Sequence, residues 1–290
     1  MRTTRPSSGK SIMNRIYLVL ATLAGLTAAK RVCTQPGSIS WGVCRPQYAS
    51  KLTEKVEVDV KTDSISVSAY YINLKRRPDR RREIEGELKN LTMPLERIEA
   101  VDIANNDTIL KKCWDQSDVK VCAGQIGCQL SHIKALNLGD ASGADAVAIF
   151  EDDFAWLLGI EPSRIISAVK IVAKKLPSWN VIGISLNILN QSHVEPGVKL
   201  QMRADEHTNV VRVNEAQTTH GYIVKSTYIP VLRDNFERCP VHESYEVAID
   251  TCWKSLQLKD SWYGFSPQLG TQRPSFSDIE NMNVNHGIAS

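Results

Sequence analysis

Three adjacent carboxylates, Glu151-Asp152-Asp153, end an apolar run from Ala146 to Phe150. Carboxylates this close repel one another unless a cation sits among them, and a hard cation with oxygen ligands, Mn²⁺ or Mg²⁺, is the usual partner. A run that is apolar on both faces reads as a central strand of a covered, largely parallel sheet. Open α/β sheets gather ligands at the carboxyl ends of such strands. The other reading is a solvated acidic turn after a strand, and on the triplet alone the two stand even.

A second group with chemistry in it is basic. Lys75, Arg76, Arg77, Arg80, Arg81 and Arg82 cluster around the expected start of a helix. Arginine forks match phosphate oxygens in pairs, and a helix N-terminus adds its own partial positive charge. Positions one or two apart on a helix face different ways, so several of these side chains instead form a solvated face with Glu83, Glu85 and Glu87. His132 and His220 could complete a metal shell or touch phosphate as neutral imidazoles. Each also reads as a hydrogen-bonded core residue, and for His220 that is the better reading.

These groups need elements to hold them. Ile65 to Leu74 reads as a strand, and Pro78 opens a helix whose apolar side is Ile84, Leu88 and Leu91. Leu95 to Val101 gives a second short strand. Gln125 to Leu138 repeats Ile126, Leu130, Ile133 and Leu136 on one helical face. Ala146 to Phe150 is the next strand, Pro162 to Leu176 the next helix, and Val181 to Leu186 a further strand. Beyond it we expect strands near Val210 to Val213 and Gly221 to Val224, with helices near Thr227 to Asn235 and Tyr245 to Leu256. Alternating strands and helices predict an α/β fold built on a mostly parallel central sheet.

The 290 residues, 42% hydrophobic and 23% charged, can bury a full core. Lys75 to Lys89 holds seven basic and four acidic side chains, a local +3 equal to the formal charge of the whole chain. Basicity is therefore local, which argues against nucleic-acid binding. The N-terminal 31 residues read as a signal peptide or signal anchor: Arg2, Arg5, Lys10 and Arg15 precede a charge-free run, Ile16 to Ala29, closed by Lys30 and Arg31. Fourteen residues rise about 21 Å as a helix, short of the roughly 30 Å hydrocarbon core. If uncleaved, this segment would hold the chain to a membrane with the remainder in the lumen. Residues 32–64 read as a stem and 65–290 as a single catalytic domain. Sequons at Asn90, Asn106 and Asn190 permit a luminal glycoprotein. None of the seven cysteines has CxxC spacing, which argues against a zinc ribbon. An oxidising lumen would allow Cys33 with Cys44, or Cys113 with Cys122, to form disulfides.

The stretches Tyr71-Ile-Asn-Leu-Lys-Arg-Arg-Pro-Asp-Arg80-Arg, Gly124-Gln-Ile-Gly127-Cys-Gln-Leu-Ser131-His132, Ala148-Ile-Phe-Glu151-Asp-Asp153 and Pro267 through Gln272-Arg273 to Ser277-Asp278-Ile279 resemble, in order, the blocks of the family 25 glycosyltransferases. That family includes bacterial lipopolysaccharide galactosyltransferases and collagen hydroxylysine galactosyltransferases. The resemblance implies a GT-A-like nucleotide-binding fold, a UDP-sugar donor carrying galactose most often, a glycan or glycoprotein acceptor, Mn²⁺ or Mg²⁺, and inversion at the anomeric carbon. It sets Asn73, Arg77, Arg80, Ser131, His132 and Asp152 at the donor, and Glu151 with Asp153 at the metal. Gln125 departs from the acid that family members often carry there. Inversion in one displacement needs a group to take the acceptor's proton, and Asp250 matches a late acidic position of the family. The N-terminal segment, not the resemblance, points to the secretory pathway and to the Golgi or endoplasmic-reticulum lumen.

Two other readings fit parts of the sequence. One is a secreted carbohydrate-binding or interaction domain on the same scaffold, which has no use for three adjacent carboxylates. The other is a metal-dependent phosphohydrolase or nucleotidyltransferase, for which the sequence offers no second cluster of metal ligands.

Overall fold

In the computed structural model, the residues described are 65–103, 106–113, 119–203, 207–240, 248–277 and 282–284. β1 (Val67–Asn73) passes through residues 74–77 into α1 (Pro78–Leu88). Pro78 sits at the first helical position, where its fixed φ suits the helix and its missing N–H costs nothing. Arg80, Ile84 and Leu88 are the buried residues of α1, and their spacing of four puts them on one face. β2 (Leu95–Glu99) then runs parallel to β1 with Ala69 beside Leu95 and Asn73 beside Glu99.

α2 (Asp107–Lys112) is followed by α3 (Val119–Ala141), and the Cys113–Cys122 disulfide ties the two. α3 lies so close to the sheet that a Cβ on Gly139 would stand 2.7 Å from a Val147 methyl. β3 (Ala146–Glu151) is buried along its length until Glu151. β4 (Phe154–Trp156), α4 (Ile165–Lys175) and β5 (Val181–Gly183) follow, then a long hairpin of β6 (Asn187–Leu200) and β7 (Thr208–Gln217). β8 (Gly221–Lys225), α5 (Ile229–Glu237), α6 (Ile249–Cys252), α7 (Lys254–Lys259) and β9 (Trp262–Ser266) complete the main body. β10 (Gly270–Gln272) pairs with β4, and β11 (Ser275–Ser277) with β12 (Met282–Val284).

Eight strands form one sheet in the order β2-β1-β3-β8-β5-β9-β7-β6. β8 runs against both β3 and β5, and β7 against both β9 and β6, so the other six strands share one direction. Alternation along β1 and β3 divides the core. Val67, Ala69, Tyr71, Ala148 and Phe150 pack with α1 and α4, whereas Tyr70, Ile72, Val147 and Ile149 pack with α3 and α5. Helices cover both faces, as continuous apolar strands require. This is the α/β, GT-A-like fold expected, with antiparallel β8 set between β3 and β5.

Several expectations need adjustment. β6 is not anticipated by the sequence pattern, because its outer stretch is exposed and carries no apolar alternation. The helix expected over Tyr245 to Leu256 is broken at Trp253 into α6 and α7, and its first residues lie outside those described. The Cys113–Cys122 bridge is present, joined by an unforeseen Cys239–Cys252. Cys33, Cys44, the apolar run from Ile16 and the stem lie outside the described residues. Among the described residues no helix is long and apolar enough to cross a membrane.

Candidate active site at the carboxyl end of β3

β3 ends at Glu151, and Asp152 and Asp153 turn the chain into β4. Aromatic anchors fix that turn from both sides. Phe150 and Phe154 are fully buried with ring centroids 4.9 Å apart. A Cβ on Gly221 would lie 2.9 Å from the Phe154 ring, and one on Gly270 only 2.3 Å from it. Glycine at these two positions lets β8 and β10 close on the ring, so the acidic turn has little freedom to shift.

Arg80 binds both aspartates. Its Nη1 donates to Asp152 Oδ1 at 2.7 Å and its Nη2 to Asp153 Oδ2 at 2.9 Å. The helical spacing that buries Ile84 and Leu88 aims Arg80 inward one turn earlier. Asn73, at the end of β1, donates to Asp152 Oδ2 at 2.8 Å, and its own Oδ1 accepts from Arg97 Nε at 3.1 Å. Burial pushes the Asp152 carboxyl up to about 6, against the pull of Arg80. Asp153 Oδ2 accepts a second bond from Gln272 Nε2 at 3.1 Å, whereas its Oδ1 accepts none among the described residues.

The loop between β7 and β8 supplies the opposite wall. Thr218 N–H donates to Asp250 Oδ2 at 3.1 Å, Thr219 Oγ1 donates to Glu151 Oε1 at 2.5 Å, and His220 Nε2 lies 4.0 Å from Asp153 Oδ1. Three consecutive residues thus address three carboxylates. Thr218 holds a φ of 72°, a left-handed conformation that costs a β-branched residue on the order of 1–3 kcal/mol. Its bonds to Asp250 and, through Oγ1, to Ser185 O at 2.9 Å hold it there.

His132 is buried on α3, with Nδ1 3.1 Å from the Tyr222 hydroxyl and Nε2 3.3 Å from Glu151 Oε1. Burial would raise the Glu151 carboxyl, but its hydrogen bond with His132 and the field of His220 outweigh that and hold it below the usual carboxylate range.

Asn73, Arg80, Asp152 and Asp153 therefore form one bonded group and His132 with Glu151 a second, and the 218–220 loop, which bonds Glu151 and Asp250 and brings His220 to 4.0 Å from Asp153, runs beside both. Ser131 bonds to neither group. Its hydroxyl donates to Gly127 O at 2.7 Å and accepts from Val101 N at 2.9 Å, fastening the chain after β2 to α3. The Arg77 guanidinium donates to Asp79 Oδ2 at 2.9 Å and to Phe276 O at 3.3 Å. Arg80 and Asp152, expected at the donor, spend their polar groups chiefly on holding the turn. Sequence reasoning assigned no role to Thr218, Thr219, Gln272 or Arg273. Arg273 N–H donates to Asp153 O at 2.7 Å and its guanidinium to Asp152 O at 2.6 Å, so the chain after β10 clamps the turn from far along the sequence. The Gln272-Arg273 pair lies inside a resembling block, but nothing in its residue types discloses this contact.

Three carboxylates against one buried guanidinium leave the cluster with surplus negative charge. One ligand atom from each of Glu151, Asp153 and His220 falls within 4.8 Å of the others, and Asp153 Oδ1 is buried without a hydrogen-bond partner among the described residues. Two carboxylates and an imidazole suit a divalent cation.

Several solved structures share part of this architecture. A197 from STIV is 13% identical over 78% of this chain and 97% of its own, with a TM-score of 0.37. A glycosyltransferase involved in glycosylating the major capsid of PBCV-1 is 8% identical, covering 74% and 96%, with a TM-score of 0.39. A UDP-glucose pyrophosphorylase complexed with UDP-glucose is 8% identical, covering 74% and 79%, with a TM-score of 0.33. Likeness at these scores says nothing about activity. No curated protein sequence matches the chain. The family described as glycosyltransferase family 25 (LPS biosynthesis protein) matches residues 67–253, which span the β1-α1 unit, the acidic turn and α6. The chain belongs to glycosyltransferase family 25.

Proposed function

We propose that this glycosyltransferase moves a hexose, galactose, from a UDP-sugar to a hydroxyl of a glycan or glycoprotein acceptor, with divalent-metal dependence and inversion. The observation that carries the reading is the buried Asp153 Oδ1, which lacks a hydrogen-bond partner among the described residues, set beside Glu151 and His220. Glu151, Asp153 and His220 would hold Mn²⁺ or Mg²⁺. When bound there, the cation supplies positive charge to the departing diphosphate.

The remaining steps belong to the chain's own residues. Arg80, Asn73 and Arg273 hold the acidic turn in one geometry before substrate arrives, so little reorganisation is left for the reaction. Arg77, ahead of α1, contributes a basic group toward phosphate. Asp250 takes the proton of the acceptor hydroxyl as that oxygen bonds to the anomeric carbon. The bond from that carbon to the diphosphate breaks at the same time, and UDP leaves with the electron pair. The hydrogen bond to Thr218 N leaves Asp250 its second oxygen for this proton.

We place the reaction in the Golgi or endoplasmic-reticulum lumen, with residues 1–31 as a cleaved or retained signal, 32–64 as stem and 65–290 as the catalytic domain. Two disulfides among the described residues support an oxidising compartment.

The test is transfer of label from UDP-galactose, with UDP-glucose alongside, to glycan acceptors in Mn²⁺ and in chelator. Metal-dependent transfer with one UDP released per sugar supports the reading. Label left on both donors in Mn²⁺ removes the donor assignment.

A further inference from the structure

A second set of candidate ligands shares Glu151. Cys128 and His132 are four residues apart on α3, hence on one helical face, and that face meets the end of β3. A ligand atom from each of Cys128, His132 and Glu151 falls within 4.8 Å of the other two. Cys128 is a reduced cysteine, whereas Cys113, Cys122, Cys239 and Cys252 are all bridged.

We propose that Cys128, His132 and Glu151 form a second cation site, for a thiophilic divalent ion of the zinc class, sharing Glu151 with the Glu151–Asp153–His220 set. Thiolate, imidazole and carboxylate together are zinc's ligand types, and three protein ligands leave a fourth position for water. The imidazole is already oriented. His132 Nδ1 meets the hydroxyl of fully buried Tyr222 at 3.1 Å, the Tyr222 ring stacks on it at 5.9 Å, and Phe236 abuts its edge at 6.1 Å. Such a partner on the far nitrogen fixes a ligating imidazole. Glu151 is held in turn by Thr219.

Charge around the thiol favours a cation. Glu151, Asp250 and Asp153 all bring negative charge toward the thiol. The same negative field attracts a divalent ion. On binding, the sulfur–metal bond forms and the thiol proton leaves to solvent, with no change of oxidation state.

Glu151 is common to both sets, so an ion on Cys128 and His132 draws it from the hard-cation site. Zinc therefore inhibits a Mn²⁺-dependent reaction at this centre. That consequence rests on the proposed function; the existence of the thiolate site does not.

Cobalt reads the site directly. Adding Co²⁺ to the metal-free full-length chain should give the sulfur-to-cobalt charge-transfer absorption of a thiolate ligand, lost in both Cys128→Ser and Cys128→Ala. Mn²⁺ binding followed by electron paramagnetic resonance should be unchanged in both variants. With Mn²⁺ fixed, the variants should need at least the roughly tenfold more zinc for half-inhibition that removal of even an outer-shell partner commands. No charge-transfer band in the wild type, or an equal band in both variants, overturns the proposal. A Cys128-dependent band in a chain that transfers no sugar with Mn²⁺ upholds this site and rejects the proposed function instead.

Discussion

His220 Nε2 stands 4.0 Å from Asp153 Oδ1, too far to bond it, and that oxygen accepts no hydrogen bond from any described residue. A buried carboxylate oxygen normally has a partner, because leaving it without one costs about 1–3 kcal/mol or more for a charged group. Glu151 stands within 4.8 Å of the same pair. Two acids and an imidazole converging on one point are best satisfied by a divalent cation.

Arg80 is the only side chain with strong bonds to both Asp152 and Asp153 among the described residues. Arg80→Met keeps the bulk on the buried face of α1 but removes the countercharge from two buried carboxylates, leaving each with one side-chain amide donor among the described residues, Asn73 on Asp152 and Gln272 on Asp153. Removing one partner of a buried ion pair costs about 3–5 kcal/mol, and chemical denaturation of the metal-free protein should report a loss of that size. Unchanged stability would mean that water reaches the aspartates freely.

Asp152 gives a pH signature. A carboxyl raised from 3.8 to about 6 binds its proton more tightly in the folded chain than in the unfolded one. Its stabilising contribution is complete below the unfolded value and falls away as pH rises through about 6, by on the order of 3 kcal/mol. Asp152→Asn should flatten this decline between roughly pH 4 and 6 in metal-free stability curves. Parallel curves for the two proteins would exclude the shift.

Asp250→Asn separates holding from chemistry. The amide oxygen can still accept the Thr218 N–H, so the 218–220 loop stays in place, but the basic carboxylate is gone. Turnover should fall by about 10²- to 10⁴-fold while donor affinity changes little. Equal losses in turnover and donor binding would make Asp250 a structural residue of the loop.

The Cys239–Cys252 bridge tethers α6, which carries Asp250, to the end of α5. Replacing both cysteines with serine should lower stability by about 2–4 kcal/mol, as a bridge of this separation implies. Turnover should fall further than donor affinity, because α6 presents the proposed base. A variant with full turnover would show that packing around Trp253 holds α6 without the bridge.

Much of this site is legible in residue types, but unevenly. The apolar run before Glu151 identifies a buried strand with acids at its end, and the spacing of Arg80, Ile84 and Leu88 already contains the inward arginine. Taken only for its apolar members, that spacing leaves Arg80 to phosphate, whereas its position on the helix aims it at the aspartates. Ser131 carries no sign that its hydroxyl closes a local bond to Gly127. Thr218 and Thr219 look like ordinary loop residues, and their role appears only when antiparallel β8 brings the loop before it against β3. Gln272 and Arg273 reach the turn through β10 pairing with β4, a contact between segments far apart in the chain that no local pattern encodes. Local periodicity foretells the layers, and tertiary pairing assembles the site.

Calorimetric titration with UDP, in Mn²⁺ and in chelator, tests the central claim most directly, using the wild type and Asp153→Asn. The account predicts binding in Mn²⁺ that chelator abolishes, and loss of that binding in the variant with its fold intact. Equal UDP binding in chelator and Mn²⁺, or undiminished metal-dependent binding by Asp153→Asn, would contradict a donor site built on the acidic turn.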